Sequence, residues 1–101
     1  MLVRSLTILC TAASLAAAAC TLTYQYTDGT TASREVEAEQ CYTVPAGTPK
    51  DVAIVDVVGP TGHGQVETYG KRGCTTLLEQ GQTPMIISKP RIYSAYVVSC
   101  P

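Results

Sequence analysis

The sequence of 101 residues contains no tryptophan, no phenylalanine and no asparagine. Without asparagine the chain has no acceptor for N-linked glycosylation. All six aromatic residues are tyrosines, so a core must be built from tyrosine and small or branched aliphatic residues. Basic residues are also few: without Arg4, which lies in the predicted leader, six basic and eight acidic residues remain. A net charge of about −2 argues against nucleic-acid binding, because no basic stripe is available for a phosphate backbone.

Signatures of catalysis and metal binding are missing as well. A ribonuclease of this size needs a general acid and a general base, and the chain has a single histidine, His63. Gly62 and Gly64 flank it, which predicts an exposed and loosely held loop tip. Glu67 is a conceivable base, but nothing in its surroundings marks it. The cysteines lack the close pairs of a zinc site. We therefore predict a non-enzymatic protein with no catalytic residue, no metal and no cofactor.

The first segment, Met1–Ala19, reads as a secretory signal. Arg4 supplies the positive charge, an apolar run follows, and three alanines precede Cys20. The apolar run is too short to span a bilayer comfortably, so we predict no membrane insertion. Small residues ending in cysteine also resemble a bacterial lipoprotein signal, in which Cys20 would carry lipid. We favour plain secretion, with residues 1–19 as the signal and 20–101 as a single β-rich secreted domain.

The secreted domain would contain four cysteines, which suits an oxidising compartment. A domain of about 80 residues buries a modest share of its surface and often needs covalent help. We predict two disulfides and no free thiol, among Cys20, Cys41, Cys74 and Cys100. Four cysteines allow three pairings, and their spacing alone does not choose among them.

The strongest strand signal is the segment Lys50–Gly59, with the sequence KDVAIVDVVG. Its interior is rich in β-branched residues, which fit a pleated and buried surface. Gly59 and the proline after it end the run, and Asp56 is its only interior charge. We predict the central strand of a small sheet, in which Ile54 or Val55 faces the main core.

The segment Cys20–Tyr26 alternates between apolar and polar residues, as a half-buried strand does. Asp28-Gly29 then predicts a hairpin turn. Thr31–Glu39 is ambiguous, because Ser33–Val36 also resembles the start of a helix. We favour a second strand or an irregular edge, since a single helical turn here would have little apolar surface to bury. Further strands are predicted at Cys41–Val44, Val66–Tyr69, Cys74–Leu78, Met85–Ile87 and Arg91–Cys100. Loops are predicted at Pro45–Pro49, Gly59–Gly64 and Glu79–Pro84. Short strands separated by glycine and proline predict an all-β fold, a small disulfide-stapled antiparallel β-sandwich.

Three groups of side chains invite a functional interpretation. Glu35, Glu37 and Glu39 would share one strand face, and we interpret them as solvated rather than as a cation site. Lys71-Arg72 forms a cationic turn that is either simply solvated or able to touch an acidic partner. Tyr24 and Tyr26 are predicted to lie in the core and its rim rather than to form a sugar-stacking platform.

Taken together, the signal segment, the cysteines and the β-rich body resemble small cysteine-rich secreted proteins of filamentous fungi. The chain most resembles the MAX effectors, especially the ToxB-like toxins, in Cys20, in Cys41 followed by Val44–Gly47, and in Cys74 and Cys100. That resemblance implies two three-stranded antiparallel sheets and the pairing Cys20–Cys74 with Cys41–Cys100. The chain departs from the family in its longer segments between cysteines and in its glycine-rich insertion at Pro60–Gln65.

A second resemblance is to βγ-crystallin-like secreted proteins, which include some killer toxins. It rests on Val66–Tyr69 followed by Gly73–Leu77. Neither family implies a catalytic residue. We predict an extracellular, monomeric effector that contributes to virulence by binding a host or cell-wall component, in a place such as the host apoplast. The alternatives are an antimicrobial or killer-type toxin and a structural cell-wall protein.

Overall fold

The computed structural model describes residues 19–45 and 51–101. The predicted signal up to Ala18 and most of the predicted loop Pro45–Pro49 lie outside the described residues. Within the described part, the chain forms an all-β sandwich of two antiparallel sheets. The strands are β1 (Cys20–Tyr26), β2 (Thr31–Val36), β3 (Gln40–Thr43), β4 (Val52–Gly59), β5 (Gly62–His63), β6 (Gln65–Lys71), β7 (Thr75–Gln82), β8 (Met85–Ile86) and β9 (Ser94–Val97). The predicted fold class is confirmed, and no helix in these residues could cross a membrane.

The first sheet has the order β2-β1-β4-β5, and the short strand β8 also pairs with β4. The predicted central strand is confirmed, because β4 lies between β1 on one side and β5 and β8 on the other. Of the two residues predicted to face the core, Val55 is fully buried, while Ile54 is only partly buried on the opposite face. Branched side chains thus fill the inner face of this strand.

The hairpin of β1 and β2 follows its sequence pattern closely. The alternating residues Leu22, Tyr24 and Tyr26 are all buried, as predicted. At the turn, Gly29 has a φ of 89°, a left-handed conformation that glycine adopts at no steric cost. The side chain of Asp28 accepts a hydrogen bond of 2.9 Å from the backbone N–H of Thr30. This hydrogen bond between two residues of the turn stabilises its conformation.

The strand β2 ends at Val36, earlier than the longest extent considered for this segment. The three glutamates of the segment therefore do not share a strand face: Glu35 lies in β2, whereas Glu39 lies in a turn with a φ of 61°. The edge of β2 carries one further feature. The guanidinium of Arg34 lies 4.5 Å from the centre of the Tyr42 ring in β3, so a cation–π contact links β2 of one sheet to β3 of the other.

The second sheet has the order β3-β9-β6-β7. The predicted loop over Glu79–Pro84 is wrong for its first four residues, because β7 continues to Gln82. The hydroxyl of Thr68 in β6 explains the extension: it accepts a hydrogen bond from Glu79 N at 3.2 Å and donates to Glu79 O at 3.3 Å. A partner from another strand thus holds a glycine- and glutamine-rich segment in the ladder.

A single buried hydroxyl joins the two sheets where the chain passes from β7 to β8. The Oγ1 atom of Thr83 accepts a hydrogen bond from Val57 N at 3.1 Å and donates to Gly64 O at 2.8 Å. It therefore supplies β4 with a partner in the gap between the short strands β5 and β8. The inner faces of both sheets meet in one core, built mainly from valine with Leu22, Tyr24 and Ile92.

The disulfides are Cys20–Cys100 and Cys41–Cys74. All four predicted cysteines are paired, but the pairing implied by the resemblance to the ToxB-like toxins is wrong. Antiparallel pairing of β1 with β4 brings Cys20 beside Gly59, which is packed against the last residues of the chain. Cys20 and Cys100 consequently lie 5.7 Å apart between Cα atoms. The turn after β6 carries Cys74 towards β9 and β3, where Cys41 lies.

Candidate functional site

The outer face of the four-stranded sheet carries a polar row. Alternate residues of β6 face outward there, namely Gln65, Glu67 and Tyr69, while the residues between them are buried or contribute no side chain. Glu67 is the register partner of Tyr96 in β9 on one side and of Gln80 in β7 on the other. Directly opposed residues on one face of an antiparallel sheet have neighbouring side chains. The carboxylate of Glu67 therefore lies between an aromatic ring and an amide.

The carboxylate of Glu67 is held in place by its neighbour along the strand. The hydroxyl of Tyr69 donates a hydrogen bond of 2.5 Å to Oε1 of Glu67. Because this bond stabilises the protonated phenol, it raises the pKa of Tyr69 above its ordinary value. The hydrogen bond restrains the carboxylate through Oε1, and among the described residues Oε2 has no hydrogen-bond partner. Such a fixed acceptor loses little conformational freedom when a ligand binds.

A shallow depression lies beside this row, with a volume of about 170 Å³. Its lining residues are Gln65, Val66, Glu67, Gln80, Gly81 and Val98, and we refer to it as the Glu67 depression. Within the described residues, the side-chain amides of Gln65 and Gln80 and the hydroxyl of Tyr96 make no hydrogen bond to protein. The depression thus combines one fixed acceptor with several polar groups that can both donate and accept.

His63 is held more firmly than its glycine neighbours predicted. It forms β5 with Gly62 and is the register partner of Val58. Its Nδ1 lies 2.8 Å from Oδ1 of Asp56, and its backbone carbonyl accepts a hydrogen bond of 2.8 Å from Gln82. The predicted exposure of His63 is confirmed, but the prediction of a loosely held loop is wrong, because β-sheet pairing holds the backbone and the carboxylate of Asp56 holds the ring.

The pair of Asp56 and His63 lies on the outer face of the five-stranded sheet, where Asp56 belongs to β4 and His63 to β5. A carboxylate that orients a histidine is two thirds of a nucleophilic triad. In the described part of the chain, however, no serine, threonine or cysteine side chain forms a hydrogen bond with His63. The same residues also contain no cluster of three or more histidine, cysteine or acidic side chains that is able to hold a metal ion.

The other residues that the sequence analysis named as functional candidates lie either in the core or on the exposed surface. Tyr24 and Tyr26 are both buried, with ring centroids 6.5 Å apart, so they belong to the core and offer no surface for stacking. Lys71 and Arg72 are exposed where β6 ends, and neither forms an ion pair with another described residue.

The sequence did not point to Tyr96 as part of the candidate site. The alternation of polar and apolar residues in Gln65–Tyr69 is a signal from which a polar strand face can be predicted. Which residues of β7 and β9 lie beside that face depends on the sheet order, which the local sequence does not give.

Comparison with known proteins gave no match: no family model, no curated protein and no solved structure matches this chain. The resemblance to the MAX effectors and that to the βγ-crystallin-like proteins therefore stay predictions. The site rests on the geometry of the molecule alone.

Proposed function

We propose that this chain is a secreted, non-enzymatic effector that binds a host or cell-surface component through the outer face of the four-stranded sheet. The Glu67 depression is the observation that carries the proposal, because fixed and unpartnered polar groups converge there around a shallow recess. Two disulfides in a small domain support an extracellular place of action, where such bonds persist.

Binding rather than catalysis is favoured by the separation of the polar features. The histidine with its aspartate lies on one sheet, and the recess with its converging amides lies on the other. An acid–base residue must reach the proton it transfers within hydrogen-bond distance, directly or through one water molecule. Among the described residues, the ring of His63 forms its hydrogen bond with Asp56 and with no side chain that lines the Glu67 depression.

The test applies the purified, oxidised protein to isolated host cell walls and membranes and to living host tissue. Gln80→Ala and Tyr96→Phe alter the proposed surface while keeping the strands, and Gln25→Ala is the matched control on the other sheet. We expect saturable binding and a tissue response that both weaken in the first two variants and persist in the control.

The enzymatic alternative is tested in the same assays with His63→Ala. A binding protein keeps its activity in this variant, at matched protein levels and with an unchanged thermal midpoint. Activity abolished by His63→Ala in a folded protein would overturn the proposal and assign the function to the pair with Asp56. Inhibition of neighbouring microbes without any host response would instead favour the toxin alternative.

A further inference from the structure

We propose that the Glu67 depression binds one sugar ring of a neutral oligosaccharide chain, with neighbouring rings lying along β6. This inference rests on the proposed binding function and names the chemical class of its ligand. It is carried by the kind, charge and order of the side chains on the outer face of the four-stranded sheet.

The polar groups of the depression match the hydroxyl groups of a sugar. A carbohydrate hydroxyl donates one hydrogen bond and accepts others, so it is best bound where both donors and acceptors are within reach. The side-chain amides of Gln65 and Gln80 supply both kinds of group, and the carboxylate of Glu67 accepts. These planar groups lie on rigid strands, which keeps the entropic cost of binding low.

The charge of the depression selects against anionic ligands. Among the described residues that line the depression, Glu67 alone is ionisable, and it is acidic. The nearest cations along β6, Lys71 and Arg72, lie at the far end of that strand and beyond it. A phosphate, sulfate or uronic acid group would therefore meet a negative charge without a compensating partner. A neutral ligand avoids this repulsion.

The size of the depression indicates one unit of a longer chain. Its volume of about 170 Å³ is smaller than the roughly 300 Å³ at which drug-sized sites begin. The outer face continues beyond it along β6, where Tyr69 and Leu77 are register partners and half of the Leu77 surface is exposed. From Gln65 to Tyr69 the strand advances by about 13 Å, which leaves room for further rings.

Apolar surface is present where the flat side of a sugar ring requires it. Tyr96 borders Glu67 across the sheet, and Tyr69 follows two residues further along β6. A tyrosine offers a rigid apolar face together with a polar hydroxyl, and few rotatable bonds are lost on binding. The order along the face is thus amide, carboxylate, then tyrosine with leucine. This sequence of groups provides hydrogen bonds at one end and stacking at the other.

The experiment uses the oxidised protein from Cys20 onward and six-unit probes of β-1,3-glucan, β-1,4-glucan, β-1,4-xylan and chitin. Binding is measured by calorimetry, and amide chemical shifts in NMR spectra locate the bound probe. We expect at least one probe to shift amides between Gln65 and Tyr69 and near Gln80 and Tyr96. Because the ligand is neutral, its affinity should change less than about twofold between 0.05 and 0.5 M salt.

Variants then separate the site from the rest of the surface. Gln80→Ala and Glu67→Gln should each weaken binding by roughly tenfold, the loss expected for about one hydrogen bond to a charged or planar group. Gln25→Ala and His63→Ala on the other sheet should leave the affinity unchanged. Oligogalacturonate is the anionic comparison probe and should shift no amide of the depression.

Two outcomes would overturn the inference: no neutral probe shifts these amides at millimolar concentration, or the shifts map to the five-stranded sheet. If the host-binding activity still depends on Gln80 and Tyr96 in that case, the proposed function stands and its partner is a protein. If the sugar binds as expected but Gln80→Ala keeps full activity on host tissue, the sugar site stands and the proposed function fails.

Discussion

The two disulfides should contribute unequally to stability, and the difference follows from the topology. In the chain-entropy model a cross-link stabilises by restricting the unfolded chain, and the effect grows with the length of the closed loop. Cys20–Cys100 spans a sequence separation of 80 residues and Cys41–Cys74 one of 33. These loops correspond to about 4.5 and about 3.7 kcal/mol at 25 °C.

The deeper burial of Cys20 increases the difference in stability between the two disulfides. Cys20 is only 1% exposed and belongs to the core cluster, whereas Cys41 is exposed on the outer face. Replacing Cys20 with alanine therefore also removes buried contacts, which adds about 1 kcal/mol. The total net stability of a domain of this size is only about 4–12 kcal/mol. Loss of the bond Cys20–Cys100 should therefore remove about half of this stability or more.

The assay compares two double variants, Cys20→Ala with Cys100→Ala and Cys41→Ala with Cys74→Ala, by urea denaturation under non-reducing conditions. If the first variant is already unfolded in buffer, an osmolyte such as sucrose restores a measurable transition for both proteins. We expect the first variant to be the less stable by about 1–2 kcal/mol. Equal stability, or a less stable Cys41–Cys74 variant, would refute the reasoning. Peptide mapping that links Cys20 to Cys74 would refute the topology itself.

Three further predictions concern the core and its margin. Val55→Ala should lower the free energy of unfolding by about 2–3 kcal/mol in urea denaturation, and Ile54→Ala by clearly less; the reverse order would place the wrong face inward. Tyr24 is buried and its hydroxyl has no hydrogen-bond partner among the described residues, so Tyr24→Phe should be neutral or stabilising by up to about 2 kcal/mol at pH 7. Burial also raises the pKa of Tyr24 above that of the unfolded chain, so stability is independent of this group below about pH 10 and falls as the pH rises further, a slope that Tyr24→Phe should flatten. Gly59→Ala should lower the thermal midpoint by several degrees, because a Cβ there overlaps the backbone carbonyl of Pro101; an unchanged midpoint would show that this close approach is absent in solution.

Much of the fold was predictable because local pattern and tertiary context agree. The alternation in Cys20–Tyr26 and the branched residues of β4 each indicate a strand with one buried face, and both occupy such positions. The turn at Asp28-Gly29 depends on backbone conformation alone, so its prediction needed no knowledge of distant partners.

The errors arise where a distant partner overrides the local pattern. The hydroxyl of Thr68 extends β7 through Glu79, although the glycine and glutamines after it are typical of a loop. Asp56 and the pairing of β5 with β4 fix His63 between two glycines. The disulfide pairing likewise depends on which strands are neighbours. The candidate site also could not be predicted from local sequence, because Tyr96, Glu67 and Gln80 are brought together only by the order of the strands β9, β6 and β7.

Arg34 has a consequence for behaviour at high concentration. A sheet edge with unpaired backbone groups can accept a strand from another molecule, which is the first step of fibril growth. On β2 such a strand would have to displace the guanidinium from Tyr42 or bury it without its aromatic partner. We therefore expect the charge of Arg34 to oppose self-association through this edge. A protein carrying Arg34→Leu would fold with the same core but become prone to aggregate wherever it accumulates.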